Sequence, residues 1–205
     1  MKTLKTFWFV LLLSLFFSKG LNAQNEANIW YFGDQCGLDF NTGVPIVLHN
    51  GQTSHGMGNA TISDSTGQLL FYTDIYYIYD KNHGRMRNDS TFGYSAGVSG
   101  RAIVKWPGKA SLYYVVSAAY TNYPYYKGFY YSLVDMTGSN GWGEVIENCV
   151  PIEAGWDCAD RVAIVRQSNS ANVWVITRKF EDDAYAAFLI DENGFNPIPV
   201  ISPMP

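Results

Sequence analysis

Apolar and polar positions alternate along most of this chain in short runs, and the runs recur in a fixed order. An apolar strand (ATISD, 60–64) turns over a polar corner into a more aromatic one (LLFYTD, 69–74). A third strand (YIYD, 77–80) closes on Asp80, with Gly84 after it. The order returns in AIVK (102–105), LYYVVS (112–117) and YYSLVD (130–135) with Gly138. It returns again in VAIVR (162–166), VWVIT (173–177) and AFLID (187–191) with Gly194. The closing residues Asp80, Asp135 and Asp191 lie 55 and 56 positions apart. Short runs rich in β-branched and aromatic residues, bounded by turn residues, predict strands. Self-similarity at a fixed spacing predicts a radial repeat of sheets. The expected fold class is therefore all-β, with β-propeller-like repeated antiparallel sheets. No long stretch keeps the spacing of an amphipathic helix, and the best candidate, residues 181–187, reads as a polar turn.

Ahead of the first copy, residues 28–41 place two short aromatic strands around Gly33 and Asp34, the signature of a hairpin. In a propeller such a strand is expected to complete the last sheet and tie the ring shut. Asn50 and Gly51 mark a tight turn. Residues 85–99 and 136–160 read as longer loops, where a rigid β-scaffold usually carries its binding specificity. Residues 197–201 look like the first strand of a further sheet. About three blades and a hairpin fall short of the roughly 4–8 blades of a closed ring, so an incomplete, truncated propeller is expected. Such a piece would carry a sticky open edge.

The first 23 residues stand apart. Lys2 and Lys5 precede an apolar run over 7–17 that only Ser14 interrupts, and Ala23 offers a small residue for cleavage before Gln24. That is the pattern of a secretory signal peptide, with an apolar core too short for a confident membrane span. Residues 24–205 form the expected propeller-like domain. No later stretch approaches the ~20 apolar residues of a spanning helix. The mature chain is therefore expected to be exported, without a membrane span after signal cleavage, and periplasmic, at the cell surface or secreted.

Composition narrows the partners. Fifteen Tyr, twelve Phe and six Trp suit half-buried pleated surfaces. Only 16% of residues are charged, the net charge is −4, and no basic run exceeds Arg178 and Lys179. That balance argues against nucleic acid, whose binders present basic stripes. Cys149 and Cys158 flank eight residues and could close a short loop as a disulfide in an oxidising compartment, or remain two thiols. Cys36 is left over, as a small buried apolar residue.

Candidate chemistry is sparse. No nucleophile elbow, P-loop, dinucleotide fingerprint or zinc-protease helix occurs. His49, His55 and His83 sit beside turns without ligand spacing, so no metal and no cofactor is expected. Asp34, Asp39, Asp74, Asp157 and Asp160 could supply the carboxylate pair of a glycosidase at a propeller mouth, with Trp156 stacking on a sugar ring. The competing reading is that aspartates cap turns, as expected of Asp80, Asp135 and Asp191. Tyr120, Tyr123, Tyr125 and Tyr126 crowd a turn-rich stretch and suit an interface, or packing between sheets. With Trp156 and Asp157 they make the candidate binding set.

Two blocks resemble a known family. NIWYFG (28–33) with GLDF (37–40) is one, and ATISD (60–64) with Gly67 and LLFYTD (69–74) is the other. Both are similar to the N-terminal region of large Bacteroidetes surface proteins described as gliding-motility-associated, or as type IX secretion cargo with a type B sorting domain. AIVK, YYVV (113–116), YSLVDM (131–136) and WVIT (174–177) keep a looser match. The resemblance covers nearly the whole mature chain and implies fold and lineage rather than an activity. Relatives continue through more blades, immunoglobulin-like repeats and a sorting domain, and often carry Asp-Gly where this chain has Asp74 and Ile75. Residues 64–66 and 89–91 also resemble the lineage's O-glycosylation sites, though ordinary β-turns account for both. The reading is a non-catalytic recognition or adhesion module with a glycan or protein partner at the cell surface. A carbohydrate-active hydrolase is the alternative, and a non-functional piece of a split gene is a third reading.

Overall fold

The computed structural model describes residues 25–54, 58–89, 99–119, 128–152, 158–168, 170–179 and 183–204. Along them the chain lays down antiparallel sheets one after another, each a meander of consecutive strands. The first holds β1 (Ile29–Phe32), β2 (Cys36–Asp39) and β3 (Ile46–Leu48). The second holds β4 (Ala60–Ser63), β5 (Leu69–Thr73) and β6 (Ile78–Asp80). The third holds β7 (Ser99–Lys105), β8 (Leu112–Ala119), β9 (Gly128–Asp135) and β10 (Glu144–Pro151). The fourth holds β11 (Cys158–Arg166), β12 (Val173–Lys179) and β13 (Ala184–Asp191). There β14 (Gly194–Phe195) and β15 (Val200–Pro203) share one edge of β13. Helical structure among the described residues is confined to short turns at Asn25–Ala27 and Gly138–Gly141.

The three sequence copies are the second, third and fourth sheets, and their closing aspartates act alike. Asp80 Oδ1 accepts the Asn82 N–H at 2.7 Å, Asp135 Oδ1 that of Thr137 at 2.9 Å, and Asp191 Oδ1 that of Asn193 at 2.8 Å. Each side chain thereby holds the turn that follows it, as an Asp does in an Asx-turn.

Period-two alternation then sends neighbours to opposite interfaces. On β5, Phe71 packs towards the third sheet with Val115 and Val134, while Tyr72 packs towards the first sheet with Tyr31. On β8, Tyr114 and Val116 turn the other way and meet Val175, Phe188 and Ile190 of the fourth sheet. The inner sheets are covered on both faces, which is why their strands read as nearly continuous apolar runs. Successive sheets touch through their leading strands: β1 lies beside β4, β4 beside β7, and β7 and β8 beside β11.

Three expectations change. The opening hairpin forms, with Phe32 opposite Cys36, but β3 joins it and the three strands make a sheet of their own beside β4. Residues 136–160 are not one loop, because β10 occupies 144–151. Two register shifts and the left-handed Cys149 (φ 50°) interrupt its alternation, which hides it from a periodicity reading. Residues 200–203 do not start a new sheet. β15 pairs with β13 from Ala187↔Val200 to Ala184↔Pro203, filling the edge that the two-residue β14 leaves open.

Candidate functional site

Strand direction divides the molecule into two ends. The β5–β6 turn, the segment before β7, the β8–β9 connection, the segment before β11 and the β12–β13 connection all leave strands at one end, here the upper end. The sheets share this polarity. Arg101, near the upper end of β7, donates to Ile75 O in the β5–β6 turn at 2.6 Å, and Cys158 at the upper end of β11 contacts Gly128 O at 3.0 Å. At the lower end, Trp106 Nε1 donates to Glu192 O at 3.3 Å. Most lower-end turns are locked by their own side chains, as at Asp64, where Oδ1 accepts from Thr66 N, Thr66 Oγ1 and Gln68 N.

A buried polar knot supports the upper end between the first three sheets. Asp74, fully buried where β5 ends, accepts from the N–H groups of Tyr76 (2.8 Å) and Tyr77 (2.9 Å) through Oδ1. Its Oδ2 accepts from Ser54 N (3.3 Å) and the Tyr79 hydroxyl (3.2 Å). Asp89 seals the second sheet beside it: Oδ2 accepts the Ile78 N–H at 3.1 Å and faces Arg85 Nε at 3.5 Å. Burial pushes the Asp89 carboxyl up to about 6 against the pull of the Ile78 N–H, Arg85 and Arg101. Burial likewise lowers Arg101 to about 10, opposed by Asp74, Cys149 and Asp89.

A ladder of rings joins the first two sheets. Tyr31 stacks on Tyr72 at 4.5 Å, and Tyr72 on Tyr79 at 5.1 Å. The Tyr72 hydroxyl meets His83 Nδ1 at 3.1 Å, Asn50 Nδ2 meets His83 Nε2 at 2.8 Å, and the Tyr31 hydroxyl donates to Asn50 Oδ1 at 2.9 Å. Burial lowers the His83 pKa, with Asp80 opposing. His83, beside a turn, is thus a bonded, half-buried group, whereas His49 is exposed. No group of three His, Cys, Asp or Glu side chains among the described residues is placed to hold a metal ion.

The candidate binding residues Tyr120, Tyr123, Tyr125, Tyr126, Trp156 and Asp157 lie outside the described residues, as do His55 and the Asp160 side chain. The strands that flank them, β8 and β9 for the tyrosines and β10 and β11 for Trp156 and Asp157, end at the upper end. Of the candidate carboxylates, Asp39 Oδ1 caps Asn41 N at 2.8 Å, Asp34 sits exposed in the first hairpin, and Asp74 is committed to the knot. All three cysteines are thiols. Cys149 packs against the core between the second and third sheets and Cys158 within that between the third and fourth, so two separate interfaces hold them.

In the sequence Asp89 reads only as part of a turn-like triplet, and Arg101 carries no expectation. The signal available was Arg101 itself, a charge near the start of a strand that otherwise reads apolar. No protein-family model, curated protein or solved structure matches the chain. The described residues contain no helix long and apolar enough to cross a membrane.

Proposed function

We propose that the chain is an exported, non-catalytic recognition module of a cell-surface protein, built as consecutive blades of a β-propeller. The observation that carries this reading is where the longer connections leave their strands: those that include the tyrosine-rich 120–127 and the Trp156–Asp157 pair join strands ending at the same rim, while most turns of the other rim are capped by their own side chains. Interchangeable connections on a rigid β-scaffold are the usual seat of binding specificity. Tyr and Trp supply large, amphipathic contact area suited to sugar rings and to protein surfaces. Adjacent leading strands in successive meanders support the blade reading. The apolar leader and the resemblance to gliding-motility-associated, type IX-secreted proteins support export and the surface setting. The partner is a glycan or a protein of a neighbouring surface.

The test applies the exported chain to arrays of glycans and of surface proteins, alongside a Tyr123→Ala/Tyr126→Ala variant. Saturable binding that weakens at least tenfold in the variant, with an unchanged circular dichroism spectrum, is the expected result. Silence on both arrays, or release of sugar from a bound glycan, overturns the reading.

A further inference from the structure

Residues 50–54 run from β3 to the upper end as a strap laid between the first two sheets. The strap belongs to the first sheet, since Gln35 N donates to Thr53 O at 2.9 Å and Asp34 bridges Ser54. Gly51 lets it lie flat, because a Cβ there would stand 2.8 Å from the Tyr31 ring. Every second residue then reaches the second sheet. Asn50 Nδ2 meets His83 Nε2 at 2.8 Å, Gln52 N donates to the Tyr72 hydroxyl at 3.1 Å, and Ser54 N donates to Asp74 Oδ2 at 3.3 Å. Two of these three rungs meet on one imidazole, since His83 Nδ1 lies 3.1 Å from the Tyr72 hydroxyl.

We propose that His83 is a proton-operated latch, which while neutral holds the strap, and with it the first sheet, on the second, and when charged lets them go. With the Asn50 amide donating to Nε2, the ring's one proton sits on Nδ1 and is donated to the Tyr72 hydroxyl. A second proton enters only at Nε2, where it sets donor against donor. To answer it the amide must turn Oδ1 to the ring, which withdraws that oxygen from the Tyr31 hydroxyl that donates to it at 2.9 Å. Burial disfavours the charged ring where it stands, so it gains water by leaving, past the exposed Asn50. Asp80, in the ring's own turn, favours the charge, but its Oδ1 is taken up by Asn82 N and Gly84 N. Tyr31, Tyr72 and Tyr79 face the ring from β1, β5 and β6 and stay neutral, their pKa values raised by burial. Asp39 and Asp74 act on those tyrosines, and Lys81 and His49 are exposed. Since the folded ring holds its proton less tightly than the unfolded one, the latch is fully engaged above the ordinary histidine value, about 6.5, and weakens as pH falls below it.

Amide exchange followed by nuclear magnetic resonance on the exported chain tests the latch. Corrected for intrinsic exchange, protection of the Gln52 amide is expected to fall about tenfold between about pH 7 and 5, while the Gln35 amide, bonded to the strap within the first sheet, keeps its own. The midpoint is expected to coincide with the titration of the His83 imidazole, below about 6.5. His83→Asn suits the left-handed backbone there (φ 66°) and should abolish the step. Asn50→Asp offers the charged ring an acceptor and should move the midpoint up, a shift that a merely structural histidine does not give. His49→Gln, beside the strap, and Asp89→Asn, whose carboxyl is pushed up to about 6, should both leave the step in place. Unmoved Gln52 protection, a step that survives His83→Asn or vanishes with either control, or a midpoint that Asn50→Asp does not raise overturns the latch. Joint loss of Gln35 and Gln52 protection means that the first sheet unfolds instead of letting go, and also overturns it.

Discussion

Asp74 and Asp89 do different work although both are buried carboxylates on one sheet. Asp74 is surrounded by donors, two of them consecutive backbone N–H groups that fix the β5–β6 turn. Asp74→Ala leaves those donors buried without an acceptor, and a loss of about 3 kcal/mol is expected from the urea midpoint. Asp89 has fewer donors, and its Oδ1 is buried with no hydrogen-bond partner among the described residues. Its raised pKa means the folded chain holds this proton more tightly than the unfolded chain does. That contribution is complete below the ordinary carboxylate value and is lost as pH rises through about 6. Urea melts between pH 4 and 7 should show stability falling across this window, and Asp89→Asn should flatten the slope. Asp135 acts in the opposite sense, since the Thr137 N–H lowers its pKa and its contribution disappears only under stronger acid.

At the scale of the element, strands and turns were legible where each strand carried its own signal. Asp80, Asp135 and Asp191 announced their turns because an Asx-turn needs only the aspartate and the N–H two residues on. β10 was not legible, because its bulge puts Ile146 and Glu147 outward in succession and breaks the alternation. β15 was not legible as an outer strand either, since its partner is set by an unfilled stretch of β13 and not by its own sequence. In the first hairpin, Gly37 permits a close approach: a Cβ there would stand 2.7 Å from Trp30 O and 2.9 Å from the Tyr31 ring. Gly37→Ala should therefore cost about 1–3 kcal/mol through overpacking, read from thermal melts, and should disturb the Tyr31–Tyr72 stack seen in near-ultraviolet dichroism.

Across the whole molecule, cohesion comes from the interfaces between sheets. Phe129 and Phe188 meet at 5.1 Å between the third and fourth sheets, both almost wholly buried. Phe188→Ala is expected to cost about 3–5 kcal/mol. A double-mutant cycle with Phe129→Ala should return a coupling of about 0.5–1.5 kcal/mol for the ring pair, and additivity would deny that the contact joins the sheets. The candidate binding set was readable only as composition, tyrosines and a Trp-Asp pair in connections, and strand directions show only that the strands flanking them end at one rim.

The self-capped turns of the lower end have a consequence for how this protein can change. Because most of these hairpins are set by a side chain within their own turn, the longer connections at the opposite rim carry little of the task of specifying register. Lengthening a connection there costs only chain closure, about 0.6 kcal/mol per doubling. The knot around Asp74 keeps the β5–β6 turn out of this freedom, whereas a library of sequences inserted in the β8–β9 and β12–β13 connections should leave the melting temperature nearly unmoved.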